Sequence, residues 1–257
     1  MLLRGLAYVW RVRLGDSACV SEPQIESLSG MLSAEERRKA DAFRGVGLRR
    51  DYILAHAALR CVLGQCMGIS PSSVYYAAGS IGEKGVAAIK PRIAQGTEAV
   101  EMAQDLRFNL SHTSGAALIG VAVGRELGID IERQRLMDDL DAMARSVLSA
   151  EEWTLWEALA GGDRIRAFYQ VWTRKESYLK AIGLGLYRDP REVIVPVGVD
   201  LRLLSTRQSG IVHDRRQNGV WRVADIAVSE GYFASICCEG EGMPEIMIHD
   251  FEFGDIF

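Results

Sequence analysis

One five-residue run occurs twice in this chain. Leu32-Ser-Ala-Glu-Glu36 returns as Leu148-Ser-Ala-Glu-Glu152. In each copy a Ser stands where a helix would begin, with Glu three residues on. That is the pattern of a capping box, in which each side chain bonds the other residue's backbone N–H. Two readings follow: two helices that happen to start alike, or a duplicated α+β unit with one copy per half. The surrounding pattern favours duplication. The first half reads as a strand at 6–14, helices from Ser33 and across Asp51–Met67, and short strands near Val74–Ala77 and Ala116–Val123. The second half reads as a strand at Leu127–Ile131, then helices from Ser149 and across Arg164–Ile182. Strands near Glu192–Val197, Leu201–Leu204, Trp221–Ala227 and Tyr232–Cys237 complete it. Gly124-Arg-Glu126 reads as a tight connection between two apolar runs. Residues 79–107 have no clear period and are expected as a long loop. The expected fold class is α+β, a pseudo-two-fold duplication of halves 1–125 and 126–257. Each half is a small, mostly antiparallel sheet packed with helices.

Charge narrows the function. Residues 1–125 hold 15 basic and 11 acidic side chains, and residues 126–257 hold 15 and 23. Such a chain lacks the concentrated positive field that phosphate neutralisation demands, so a general nucleic-acid binder is excluded. Residues 239–257 contain six acids and no Lys or Arg, and are expected as an acidic surface tail that Phe251, Phe253 and Phe257 help to pack. No apolar run reads as a membrane span. The alternation of Leu6, Tyr8, Trp10, Val12 and Leu14 argues for a strand and against a signal peptide. Five cysteines, four of them inside apolar stretches, point to reduced thiols and a cytoplasmic protein.

Four constellations carry chemistry. In Gly128-Ile-Asp-Ile-Glu132, a strand puts Asp130 and Glu132 on one side and Ile129 and Ile131 on the other. Carboxylates about 7 Å apart on one face are either solvated surface groups or ligands of a hard cation, Mg²⁺ or Mn²⁺. In Val171-Trp-Thr-Arg-Lys-Glu-Ser-Tyr-Leu-Lys-Ala-Ile182, a helix lines up Phe168, Trp172, Leu179 and Ile182 as an apolar stripe. Glu176 and Lys180 lie four apart there, either as a surface salt bridge or as a third carboxylate with Lys175 and Lys180 supplying charge for phosphate. Phe108-Asn-Leu-Ser-His-Thr-Ser-Gly115 reads as a polar loop before a strand, or as an anion contact through Ser111 and His112. A serine nucleophile activated by its neighbour is sterically poor, because adjacent side chains diverge. Lys90-Pro-Arg92 reads as a basic turn. Arg37, Arg38, Lys39, Arg44, Arg49 and Arg50 equally suit a solvated helix face.

Taken in order, Lys-Pro-x-Ile, Phe-Asn-Leu-Ser-His, Gly-Ile-Asp-Ile-Glu and Trp-Thr-Arg-Lys-Glu-Ser-Tyr-Leu-Lys resemble the Sfp-type 4′-phosphopantetheinyl transferases. The motifs cover about residues 30–185. The resemblance implies a pseudo-two-fold pair of α+β halves with the active site between them. It implies a Mg²⁺-dependent enzyme that moves the 4′-phosphopantetheine arm of coenzyme A to a serine of an apo acyl or peptidyl carrier protein, releasing 3′,5′-ADP. Its residues would be Asp130, Glu132 and Glu176 for the metal, Glu152 as either the base or the capping residue of its helix, since it can serve only one role fully, and Lys180 at the pyrophosphate with Lys175 in support. Ser111, His112, Lys90 and Arg49 or Arg50 would grip the nucleotide. Partners would be the carrier protein and coenzyme A, with no membrane, and the chain would act as a monomer. Two rivals share these residues: a metal-dependent phosphoesterase and a non-catalytic coenzyme A or carrier-binding module. Three departures from the family pattern stand out, one of them a long loop from Lys90 to Asn109. Ile89 occupies the usual glycine before Lys-Pro, and Glu36 stands where several members carry a basic residue.

Overall fold

The computed structural model describes residues 2–15, 20–77, 90–93, 105–184, 188–198, 210–214, 216 and 219–256. Contacts divide the chain into two compact units. One comprises Met1–Ala77, Pro91–Gly124 and Ile246–Phe257; the other comprises Ala78–Lys90 and Arg125–Glu245. Each is α+β, and every strand pairing resolved to its register is antiparallel.

In the first unit, β1 (Leu6–Arg13), β4 (Leu106–Thr113), β5 (Ala116–Val123) and β11 (Glu245–Phe251) form a sheet in the order β11-β1-β5-β4. Two short strands, β2 (Tyr76–Ala77) and β3 (Arg92–Ile93), pair separately. Among the described residues three helices accompany them: α1 (Glu22–Met31), α2 (Ala34–Asp41) and α3 (Val46–Met67). The core joins Ile53, Leu59 and Leu63 of α3 to Val12, Phe108 and Ile119 of the sheet. The helix α1, absent from the sequence expectation, starts on a capping box of Ser21 and Gln24.

The second unit carries a five-stranded sheet in the order β6-β10-β9-β8-β7. Its strands are β6 (Leu127–Arg133), β7 (Val193–Ile194), β8 (Gly210–Asp214), β9 (Trp221–Asp225) and β10 (Tyr232–Glu239). The helices are α4 (Leu140–Val147), α5 (Ala150–Glu157) and α6 (Gly162–Ala181). Phe168, Val171, Tyr178 and Leu179 of α6 bury one apolar stripe with Val223 and Cys237 of the sheet, as period 3.6 requires. The strand expected at Leu201–Leu204 lies outside the described residues, as does most of the expected loop 79–107.

Both copies of the repeated pentapeptide cap helices as read. Ser33 and Ser149 each accept from the backbone N–H three residues on, and Glu36 and Glu152 return the bond.

Two expectations need correction. Residues 108–115 are not a loop, since Phe108–Thr113 belongs to β4, which pairs with β5 from Leu106↔Val123 to Thr113↔Ala116. Only Ser114 and Gly115 remain for the turn, and Gly115 takes φ 85°, a value glycine allows cheaply. Nor is 239–257 a surface tail. Its strand β11 forms the edge of the first unit's sheet. Arg11 holds Asp250 with two bonds of 2.8 and 2.9 Å, Arg13 holds Glu252 at 2.7 Å, and Phe253 is buried in the first core. Two of its six acids, Asp250 and Glu252, are answered by arginines on β1. Among the described residues no helix is long and apolar enough to cross a membrane.

Candidate active site

The acidic cluster is built by laying α6 across β6. Gly128, Asp130 and Glu132 share the strand face that meets the helix, and opposite them on β10 stand Cys237, Ser235 and Phe233. Gly128 lets the two elements touch. A methyl there would collide with the Ser177 carbonyl oxygen and the Ala181 amide, and would lie 2.9 Å from the Ala181 Cα. These are backbone atoms that cannot step aside, so glycine is required by the close approach.

Six residues of the Trp172–Lys180 motif then have side-chain partners beyond the helix. Trp172 Nε1 donates to Glu132 at 3.4 Å. Thr173 shares a hydrogen bond of 2.9 Å with Ser235 on β10. Arg174, fully buried, binds both oxygens of Asp225 on β9 at 2.8 and 2.5 Å. Lys175 reaches Glu152 at 2.5 Å, and Tyr178 donates to Asp214 of β8 at 2.5 Å. Lys180 Nζ donates to Asp130 Oδ1 at 2.5 Å. The side chain of Glu176 is buried beside the same group, and its Oε1 has no hydrogen-bond partner.

The electrostatics follow from this crowding. Burial, then the charges of Asp130 and Glu132, push the Glu176 carboxyl up to about 7, with Lys180 pulling the other way. Burial and Asp130 likewise raise Glu132. Like-charged oxygens held together out of water need a cation. The donor chemistry fits a hard divalent ion, with one orphaned oxygen already in place. The ligand shell is not pre-closed: among the described residues no three His, Cys, Asp or Glu side chains stand in metal-holding geometry. Lys180 supplies positive charge at Asp130.

Several expected site residues lie elsewhere in the fold. Glu152, expected as a base, is 1% exposed. Its Oε2 accepts from Ser149 N (2.8 Å) and Lys175 (2.5 Å), and its Oε1 from Val195 N (2.8 Å). It is the capping residue and an ion-pair partner at once. Lys175, expected beside phosphate, is also 1% exposed. Its ammonium donates to Glu152 and to the carbonyls of Val147 and Pro190 at 2.8 and 2.9 Å. Burial pushes its pKa down, and Glu152 draws it partly back.

Lys90, expected at the nucleotide, is likewise buried. Its Nζ donates to Glu126 Oε2 (2.6 Å) and to the carbonyls of Leu127 (2.7 Å) and Ala181 (3.4 Å). It ties the start of β6 to the end of α6. These three side chains are occupied in holding the second unit together. Of the first-unit residues, Arg49 meets Asp41 at 3.3 Å and Arg50 meets Glu22 at 2.8 Å. Ser111 is buried, whereas His112 is exposed, edge-on to Tyr52 with ring centroids 6.3 Å apart.

Sequence reasoning missed Gly128, Arg174 and Asp225. A glycine inside an apolar strand was the available sign for the first. The 51-residue separation of the ion pair left none for the others.

A family model described as the 4′-phosphopantetheinyl transferase superfamily matches residues 126–237. The 4′-phosphopantetheinyl transferase HetI of Nostoc sp. is 31% identical over 185 residues, 72% of each chain. A putative 4′-phosphopantetheinyl transferase of Synechocystis sp. is 26% identical over 172 residues, 67% of this chain and 65% of that one. Among solved structures, a holo-(acyl-carrier-protein) synthase of Bacillus anthracis in complex with CoA (3′,5′-ADP) matches at 20% identity. Its TM-score is 0.36, and the match covers 44% of this chain and 94% of that one. With a relative 31% identical spanning 72% of both sequences, the chain belongs to the 4′-phosphopantetheinyl transferase superfamily.

Proposed function

We propose that this enzyme moves the 4′-phosphopantetheine arm of coenzyme A onto a serine hydroxyl of an apo acyl or peptidyl carrier protein, with 3′,5′-ADP as the other product. The observation that carries the site assignment is the gathering of Asp130, Glu132 and Glu176 around α6 with Lys180 among them and a buried Glu176 oxygen left without a partner. Those three carboxylates would hold Mg²⁺ or Mn²⁺. When bound, that ion neutralises charge on the pyrophosphate as the phosphodiester forms. The protein's own groups do the rest. Lys180, whose side chain is 27% exposed, offers its ammonium to the leaving phosphate. Trp172 orients Glu132, and Arg174 and Thr173 keep α6 seated on the sheet. In this reading His112, Ser111, Arg49 and Arg50 serve the nucleotide end of coenzyme A. The free thiols of Cys61, Cys66, Cys237 and Cys238 support a cytoplasmic setting, where the chain acts as a monomer.

The test incubates the protein with coenzyme A, Mg²⁺ and apo carrier proteins and reads intact mass. The wild type adds the phosphopantetheine mass to the carrier. Glu176→Ala and Asp130→Ala are expected to lower the rate by about 100-fold or more, about 2.7 kcal/mol of transition-state stabilisation. Full transfer by both variants would overturn the metal assignment. Release of 3′,5′-ADP with no gain in carrier mass would make the protein a phosphoesterase.

A further inference from the structure

We infer that Glu152 and Lys175 are a positioning pair that sets the rotation of α6, and through it the direction of Glu176, and that Glu152 does not take the proton of the incoming serine. The inference rests on the metal reading of Glu176 given above.

Three observations carry it. The first is saturation. A general base must come within hydrogen-bond reach of the proton it removes. Glu152 is 1% exposed, with both oxygens accepting bonds from Ser149, Val195 and Lys175. Lys175 spends its three N–H bonds on three acceptors. Nothing in this arrangement is turned outward.

The second observation is that the same device occurs in the other unit. Glu36 closes the other copy of the pentapeptide. Its Oε2 accepts from Ser33 N at 2.7 Å, and from Arg60 Nε at 2.9 Å. Arg60 is a buried cation on the long helix α3, 24 residues further on, as Lys175 is 23 residues beyond Glu152. Yet α3 carries Asp51 as its single acid, and Arg60 is followed by Cys61 where Lys175 is followed by Glu176. The capped glutamate with its buried cation is therefore present where no carboxylate follows it. Its common task is to lock a short capped helix to a long one.

The third is geometry. Successive helical residues point about 100° apart. Arg174 is fastened to β9 and Lys175 to α5. Two adjacent residues held in two directions fix the helix about its axis, and the direction of Glu176 follows.

The experiment compares Glu152→Gln, Lys175→Met and the double variant. It reads thermal unfolding, Mn²⁺ affinity by electron paramagnetic resonance without coenzyme A, and kcat and KM for carrier modification. Each single change is expected to weaken Mn²⁺ binding about 10-fold and to lower kcat, with KM for the carrier unchanged. The double variant strands no charge and is expected to regain most of both losses, which no variant lacking the base can do. The inference is overturned if Glu152→Gln binds Mn²⁺ as the wild type does, unfolds at the same temperature and loses kcat, with no recovery in the double variant. Should the double variant not fold, Lys175→Arg decides. It keeps the charge but misfits the pocket, so Mn²⁺ affinity is expected to fall several-fold; unchanged affinity and kcat overturn the inference. Glu176→Ala, run alongside, keeps the two ideas apart. Wild-type Mn²⁺ binding by that variant sinks the metal reading itself.

Discussion

Glu176 shows what a single buried carboxyl does to the protein around it. Burial and the charges of Asp130 and Glu132 push it up to about 7. A carboxyl whose folded pKa is raised contributes stability in full below its ordinary pKa, and that contribution is lost as pH rises through the folded value. Metal-free protein should therefore be less stable at pH 8 than at pH 5 through this group, by on the order of 3 kcal/mol. Glu176→Gln should flatten that part of the curve. Mg²⁺ should restore wild-type stability at pH 8 and leave the variant unmoved. Thermal unfolding between pH 5 and 8, with and without Mg²⁺, measures both effects, and identical curves for wild type and variant would refute the account. At this scale the sequence was partly readable. Asp130 and Glu132 on one strand face follow from alternation alone. That Lys180 would turn to Asp130 and not to Glu176, four residues away on its own helix, does not. Local spacing names candidates, and the packing of α6 on β6 selects among them.

The helix α6 is where the motif acquires its meaning. Its apolar stripe was legible from Phe168, Trp172, Leu179 and Ile182, and the stripe does face the second core. Of the polar residues of the same motif, Lys175 reads as chemistry in the sequence and is an attachment to α5, while Thr173, Arg174 and Tyr178, which carry no sequence assignment, attach to β10, β9 and β8. Gly128 is the matching feature of β6. Gly128→Ala should force the helix away from the strand, costing about 3 kcal/mol or more. It should also part Glu176 from Asp130. Urea unfolding and Mn²⁺ binding together test this, and an alanine variant with wild-type stability would contradict the close approach. The opposite outcome is expected of Ile129→Val, which only shortens a buried side chain on the other strand face and should cost about 1 kcal/mol with Mn²⁺ binding kept.

Across the whole molecule, each unit closes on itself through residues distant in sequence. The edge strand β11 joins the first unit 239 residues after its Arg11 partner, and Phe253 fills that unit's core. Truncation after Pro244 should remove strand and side chain together. Loss of Phe253 alone is worth about 3 kcal/mol or more, and β1 would be left as an unprotected edge. The truncated chain should unfold at a lower temperature, with the loss in the first unit. Hydrogen exchange of the β1, β4 and β5 amides would locate it, and unchanged protection there would refute the prediction.

The sequence by itself determined what depends on near neighbours. The two capping boxes span three residues, the strand faces repeat every two, the stripe of α6 repeats at 3.6, and the motif order carries the family. All of these are short-range relations of backbone geometry. Only the tertiary structure decided which charged groups hold the fold. Glu152 and Lys175, Lys90 and Glu126, Arg174 and Asp225 are separated by 23, 36 and 51 residues. Whether a buried charge is a reactant or a fastener depends on the partner that burial brings to it. The repeated pentapeptide spans both levels: its helix caps are local, and the cations that meet Glu36 and Glu152 arrive only when each long helix packs.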